Sequence, residues 1–418
     1  MKKENNSLEY KEKVTKSYLK TVSAFSNYRD GEIIFGITDE YKIVGIDDPK
    51  TVCLNIENQI NDSIKPKPNY LIRINDDGTI SLLVKKGLST PYRYNGKCYI
   101  RNDSSTIEAD TIQENRLVLE GINKRYEELP SNNQKLTFDV LSKEITQHLK
   151  LSSFNTDTMK SLGLYNEIDH YNNAALLLAD NNDCAGLDIV VYGETNNEFR
   201  KRITLSGVSL ITQYRKSLEF FLEEYTVERI ENGFRNNIEL IPIDAFREAI
   251  ANSIIHRVWD VHANTKVEMY KDKVIISSPG GLLPEMQENE FLKGSYSYLR
   301  NPILANVFHR LDIVEIFATG IRRINEAYEA KTLKPIFDIN SNSISIMLPV
   351  NRDVKLSLNE RKLYQLVNGN IYYSRKDLEN LSNLSKDTII RCLNSLISKG
   401  LIIKEGKGKG TVYYKTLL

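Results

Sequence analysis

The chain has 418 residues, 41% of them hydrophobic and 27% charged, which excludes a largely disordered protein and leaves room for two to four domains. Fifty-six Lys and Arg stand against 55 Asp and Glu, so net charge names no partner and any nucleic-acid footprint must lie in the local distribution of charge. No run of about 18 apolar residues occurs, the N-terminus lacks the apolar core of a signal peptide, and Cys53, Cys98, Cys184 and Cys392 are scattered, so the expectation is a cytoplasmic chain with no membrane span, reduced thiols and no structural zinc.

Residues 1–122 read as an α/β unit. A helix is expected over Ser17–Phe25. A hairpin follows, with Glu32–Ile37 and Ile43–Ile46 as its strands around a polar turn at Asp39–Lys42. Ser81–Lys85 and Lys97–Arg101 read as further strands, and 110–125 as a helix leading out. Residues 123–240 read as a linker, opening at Pro130, and the start of a middle α/β region. Helical spacing spans 135–165 and Ser209–Tyr225, with a buried element at 173–179 and a strand at Leu187–Tyr192. In 241–352 a helix is expected from Pro242 to Arg257, since proline suits the first turn. Strands at Thr265–Met269 and Val274–Ser277, helices near Leu299–Leu311 and Gly320–Glu329, and a closing strand at Ser343–Leu348 complete it.

Residues 354–418 form the clearest unit. Ser374 and Ser385 are N-cap residues for helices over Arg375–Leu381 and Lys386–Lys399, and Gly400 stops the second. A helix over Asn359–Val367 precedes them, and a basic hairpin, Leu401–Lys404 and Thr411–Lys415, follows. Three helices and a hairpin make the winged form of helix-turn-helix. This segment holds twelve Lys and Arg against five Asp and Glu, the imbalance missing from the whole chain. Because phosphate neutralisation dominates DNA affinity, binding is expected here. Ser385, Lys386, Thr388 and Arg391 open the recognition helix, and Lys407 and Lys409 sit on the glycine-rich tip. Such units also serve as dimerisation or docking modules. A DNA-binding reading brings a homodimer with it, since paired half-sites multiply affinity.

In the middle region Glu248, Asn252 and His256 recur at i, i+4 and i+8 and share one helix face. A carboxylate there can orient a water, and the Asn oxygen can hold Mg²⁺ near phosphates. Glycine turns follow at Ser278-Pro279-Gly280-Gly281 and at Thr319-Gly320-Ile321-Arg322, the second at a helix start suited to phosphate. Taken alone, such a stripe is usually a solvated face and such a glycine pair a turn. In this order, with Arg300-Asn301-Pro302 and Glu315 between, the set resembles the ATPase-like domain of bacterial regulators related to the C-terminal part of RecG helicase. That domain lies within the superfamily of gyrase, heat-shock chaperone, histidine-kinase and MutL ATPases. The resemblance implies ATP and Mg²⁺ as ligands, Glu248 as general base, Asn252 as Mg²⁺ ligand, Gly280 and Gly281 at the adenine pocket and Gly320 in the phosphate loop. The chain departs from the pattern where Ser278 stands in place of the adenine-binding Asp and where His256-Arg257-Val258-Trp259 replaces a His-Arg-Asp-Tyr run.

Near the N-terminus Glu4, Glu9-Tyr10-Lys11, Ala24-Phe25-Ser26-Asn27, Gly31–Ile37, Val44-Gly45-Ile46 and Tyr99-Ile100-Arg101 resemble the Schlafen AlbA-type domain, which precedes the ATPase-like one in the same regulators. Lys85, Lys86, Arg93, Lys97 and Arg101, interleaved with Tyr92, Tyr94 and Tyr99, offer a basic aromatic surface for DNA or RNA. Some Schlafen proteins are metal-dependent RNases, and that resemblance makes Glu4, Glu9 and Asp39 a candidate carboxylate triad. Against it, Glu4 near a chain end, Glu9 beside lysines and Asp39 in a turn have ordinary structural roles. Three functions therefore stand: a DNA-binding transcriptional regulator with a nucleotide-sensing middle domain, a Schlafen-like nuclease of stress or phage defence, and an ATP-driven conformational switch.

Overall fold

The computed structural model describes residues 3–415 apart from 196, 232–233, 284–285, 295–298, 316–319, 351–355, 368–370, 400 and 407. It is a mixed α/β protein with three hydrophobic cores. The four cysteines are free thiols, and no described helix is long and apolar enough to cross a membrane.

The first core lies between the helices Tyr18–Tyr28 and Pro49–Ser63 and a four-stranded sheet. Strand Gly31–Phe35 pairs in parallel with Leu8–Lys11 and antiparallel with Ile80–Lys85, whose other neighbour is Asn69–Ile74. The expected hairpin after Phe35 closes as a tight loop without a second strand: Ile37 bridges Ile43, the Thr38 N–H donates to the Lys42 carbonyl and the Val44 and Gly45 N–H groups to the Gly36 carbonyl, but 43–46 makes no strand. Gly36 (φ +93°) and Gly45 (φ +70°) turn the chain there, and a Cβ on Gly36 would lie 2.9 Å from the Gly45 backbone. The partner of Gly31–Phe35 thus lies some 45 residues downstream, beyond reach of a local pattern. A smaller set of strands, including Lys97–Asn102, packs on the other side of the Tyr18–Tyr28 helix.

The second core runs from Phe138 to Val350. Its sheet has six strands in the order Phe199–Leu205, Leu187–Tyr192, Thr265–Met269, Lys273–Pro279, Ser343–Pro349, Ile336–Ile339. Two of these strands precede residue 240, so the 123–240 and 241–352 segments share one core. Inward positions alternate along Leu187, Ile189 and Val191, which are buried, while Asp188, Val190 and Tyr192 are half-exposed. Helices Leu210–Tyr225, Ile243–Ile255, Pro302–Arg310 and Gly320–Ala327 contribute to that core, with Phe221 stacked on Phe246 at 4.0 Å. The helical 135–165 stretch is two helices, Asp139–Leu149 and Thr156–Ser161, separated where Lys150 takes φ +52°.

The third core joins helices Leu358–Leu366, Arg375–Ser382 and Lys386–Ser398 to a three-stranded antiparallel sheet of Tyr373–Ser374, Val412–Lys415 and Ile402–Glu405. Ser357, Ser374 and Ser385 each cap the helix that follows. Ile389, Leu393 and Leu396 are buried, the expected inner stripe; Ile390 is exposed instead, one position round the helix.

Candidate nucleotide cavity and nucleic-acid interface

Helix Ile243–Ile255 is apolar on the side that meets the sheet, and Glu248, Asn252 and His256 form its other stripe. That stripe lines a cavity of about 140 Å³ together with Ser278, Gly281 and Gly320. Six residues from three separate segments are thus brought together. Glu248 and Asn252 touch: the Asn252 amide donates to Glu248 Oε1 at 3.2 Å, which leaves Asn252 Oδ1 without a partner among the described residues. Burial raises the Glu248 carboxyl above its usual range, and Arg323, the Asn252 amide and Arg247 act against that rise. The helix at Gly320 starts directly over this pair, and a Cβ on Gly320 would stand 2.5 Å from both Asn252 Nδ2 and Glu248 Oε1. A side chain at 320 would have to displace the ends of both.

At the far end of the stripe, His256 is the helix C-cap. Burial and the Arg300 guanidinium hold its imidazole down to about 4, so it is neutral at ordinary pH. Arg300 donates from Nη2 to the Gly281 carbonyl at 2.8 Å. Gly280 (φ +104°) stands behind that turn, where a Cβ would lie 2.5 Å from Arg300 Nη1; it supports the wall, whereas Gly281 lines the cavity. The Ser278 hydroxyl faces the Ile344 carbonyl at 3.4 Å. Arg322 is not part of the site. It points outward and pairs with Glu326 at 3.3 Å, while its neighbour Arg323 pairs with Glu315 at 3.2 Å beside the cavity. Thr319 lies outside the described residues.

The Arg257-Val258-Trp259 run is structural. The buried Arg257 guanidinium donates to the carbonyls of Gly186 and Ala263 and to Thr265, and lies 4.1 Å from the Trp259 ring. Asn301 fastens the helix end by donating to the Ile255 and Arg257 carbonyls at 2.6 and 2.9 Å. Reading by sequence passed over Glu127. Its carboxylate accepts from the Ile303 and Leu304 N–H groups at 2.7 and 3.0 Å, capping the helix that follows Arg300. Burial pushes Glu127 up to about 7, outweighing those two donors. A lone acid 176 residues from its partner carries no local signal.

In the N-terminal domain each basic residue of the expected surface has a carboxylate: Lys85 with Asp30, Lys86 with Glu120, Arg93 with Glu114, Lys97 with Glu108 and Arg101 with Glu9. Arg101 is corrected as a nucleic-acid contact: its side chain is fully buried, held by Glu9 at 2.6 Å and by the Asn5 and Ser104 carbonyls. Tyr92 and Tyr99 are buried too. Glu9, 9% exposed, is also bonded by Lys11 and Thr21; Glu4 accepts from the Tyr10 N–H; Asp39 is an exposed turn residue. Among the described residues no group of three His, Cys, Asp or Glu is placed to hold a metal ion, so these three acids do not converge.

The C-terminal unit differs. Lys386 and Arg391 on the third helix, and Lys404 on the strand after it, are exposed and have no carboxylate partner among the described residues. Ser385 and Thr388 are engaged in starting the helix: the Ser385 hydroxyl caps Thr388 N–H at 3.4 Å and meets its Oγ1 at 2.9 Å. Lys407 and the Lys409 side chain lie outside the described residues.

A chain with an α/β N-terminal domain and a helix-lined cavity over a mixed sheet has counterparts among known families. Residues 4–110 match the family model described as Schlafen, AlbA_2, and residues 262–348 match the one described as putative ATP-dependent DNA helicase recG C-terminal. The chain therefore carries a Schlafen AlbA_2 domain followed by a RecG-C-terminal-type, ATPase-like domain. The second match starts beyond the helix that bears Glu248, Asn252 and His256. No curated protein matches the sequence. Among solved structures, the DIP2311 protein from Corynebacterium diphtheriae is similar over 98% of this chain and 92% of its own, at 15% identity and a TM-score of 0.49.

Proposed function

We propose that the protein is a DNA-binding transcriptional regulator whose C-terminal unit is a winged helix and whose middle domain senses a purine nucleoside triphosphate. The observation that carries it is the exposed set Lys386, Arg391 and Lys404 at and beside the third helix, which has no carboxylate partner among the described residues, in a segment with seven more cations than anions. Unpaired cations can release counterions from phosphates without first breaking an ion pair. The start of such a helix is the part that enters a major groove. A homodimer reading two half-sites fits this use.

The cavity suits a nucleotide by its donors. Asn252 Oδ1 and Glu248 offer oxygens to Mg²⁺, a hard cation. The helix start at Gly320 and the nearby Arg323 favour phosphate oxygens. Bound Mg²⁺ would neutralise phosphate charge, and Asn252 would fix its place relative to Gly320. The test is capture of sheared genomic DNA by the purified full chain, with and without nucleotide and Mg²⁺. A few enriched sites whose occupancy shifts with nucleotide support the proposal. Weak, salt-sensitive binding without enriched sites overturns it.

A further inference from the structure

One helix joins the cavity to the C-terminal unit. Gly320–Ala327, about 12 Å long at the helical rise, lies along helix Ile243–Ile255. Its start stands over the Glu248–Asn252 pair, and Ile321 and Ile324, three residues apart on one face, line the cavity. Beyond its far end the chain is fastened twice. Tyr328 is fully buried and donates from its hydroxyl to the Pro349 carbonyl at 2.9 Å, at the end of the strand from which the chain leaves for the C-terminal unit. Lys334 donates to the Tyr328 and Glu329 carbonyls at 2.7 and 2.8 Å and closes the turn after the helix.

Inside that turn Leu333 changes partners. Tyr328 belongs to the second core, whereas Leu333, 5% exposed, belongs to the third, whose other buried members all come from residues 363–402. The turn is thus anchored in two cores a few residues apart. Packed interiors pass a displacement on instead of absorbing it, so a shift of this helix reaches both.

The other end of the helix leaves little room at the pair it covers. A Cβ on Gly320 would stand 2.5 Å from Asn252 Nδ2 and Glu248 Oε1. A Mg²⁺ ion held by Asn252 Oδ1 reaches a phosphate oxygen through two successive bonds of about 2.1 Å. That phosphate needs a further N–H···O of about 2.9 Å to a helix start. Such a stack is wider than the present approach, so a magnesium phosphate at Asn252 requires the helix start to stand further off.

We propose that the Gly320–Ala327 helix is a lever through which nucleotide phosphates at the Glu248–Asn252 pair move the C-terminal unit against the sheet, with Leu333 as its point of contact. The proposal rests on the nucleotide reading of the cavity above and names how that site is read out. Seating the phosphate lifts the helix start, and the Tyr328 end turns with it. Leu333 carries the turn into the core that holds Ile389, Leu393 and Leu396 of the third helix of the unit. Nucleotide and DNA are then coupled reciprocally, each changing the affinity of the other by the same factor.

The test uses the full chain as wild type, Leu333→Ala and Tyr328→Phe. Affinity for labelled sheared genomic DNA is measured with and without saturating ATP and Mg²⁺, and ATP binding with Mg²⁺ is measured by titration calorimetry. In wild type, nucleotide should change DNA affinity by at least about fivefold. Leu333→Ala should hold each separate affinity within about threefold of wild type and bring the nucleotide effect below about twofold, a loss of coupling that a purely structural role would not produce. Tyr328→Phe loses only the bond to Pro349 and should lower the effect part-way; it decides the matter if Leu333→Ala does not fold. A wild-type nucleotide effect retained in the deciding variant overturns the lever. ATP that binds and leaves DNA affinity unchanged also overturns it, with the nucleotide reading still standing. If ATP does not bind by calorimetry, the nucleotide reading falls and the lever with it.

Discussion

The N-terminal and C-terminal domains both carry basic residues among aromatic ones, yet they use them in opposite ways. Lys85, Lys86, Arg93, Lys97 and Arg101 each meet a carboxylate, and Arg101 is sealed inside. Lys386, Arg391 and Lys404 are exposed and meet none among the described residues. The difference teaches that a count of Lys and Arg is not a nucleic-acid footprint. A paired surface lysine keeps its charge but contributes little net field, because its partner cancels it at short range. Only where cations outnumber anions, as in 354–418, does a field remain to attract phosphate.

The comparison can be broken most sharply at Arg101. Arg101→Ala strands Glu9, with Lys11 as its remaining cation, and leaves the Asn5 and Ser104 carbonyls without their donor. The expected loss is about 3–5 kcal/mol by chemical denaturation, as for other buried pairs with one partner removed. A loss under about 1 kcal/mol would return Arg101 to the candidate surface.

A second prediction concerns the link between the domains, where Glu127 caps the helix after Arg300. Its folded value of about 7 lies above the ordinary 4.5. The stabilising contribution is therefore complete below pH 4.5 and lost as pH rises through 7, about 3 kcal/mol in all. Glu127→Gln keeps an acceptor for one of the two N–H groups and cannot ionise, so it should remove that loss, and its stability relative to wild type should rise between pH 5 and 8. Parallel stability curves for the two proteins would contradict this. His256 has the opposite sign. Its value, held at about 4 below the ordinary 6.5, gives stability that is complete above pH 6.5 and lost as pH falls toward 4. Glu127 and His256 thus act in overlapping windows with opposite slopes, and only the difference between wild type and Glu127→Gln isolates the first.

The smallest effect is expected on the surface. Lys85→Ala with Lys97→Ala removes two exposed ion pairs, and should change stability by less than about 1 kcal/mol and DNA affinity by less than about threefold. A tenfold loss of affinity would show that paired lysines contribute to the footprint after all.

What could be read from the sequence follows the range of the interactions. The Glu248–Asn252–His256 stripe was legible because helical periodicity is local, and Ser374 and Ser385 because capping acts over three residues. The meeting of that stripe with Ser278, Gly281 and Gly320 was legible only as a resemblance. Long-range pairing was not legible. Lys85 finds Asp30 across 55 residues and Arg101 finds Glu9 across 92, so nothing near either lysine or arginine marks it as neutralised. The second strand expected at Ile43–Ile46 is absent for the same reason, although the turn itself closes. Alternation placed the Gly31–Phe35 strand correctly but could not tell that its neighbours would be Leu8–Lys11 and Ile80–Lys85. The motif's spacing points to Arg322, whereas the turn of the helix sets Arg323 against Glu315.

The most direct test of the central claim is DNA affinity of the full chain as a function of salt, for wild type and for Lys386→Ala/Arg391→Ala/Lys404→Ala. Wild type should show a steep fall of log K with log salt. The triple variant should bind roughly a hundredfold more weakly near 0.1 M salt, with the slope reduced by about two to three, one per lost phosphate contact. An unchanged slope and affinity in the triple variant would contradict the account and place the nucleic-acid surface elsewhere in the chain.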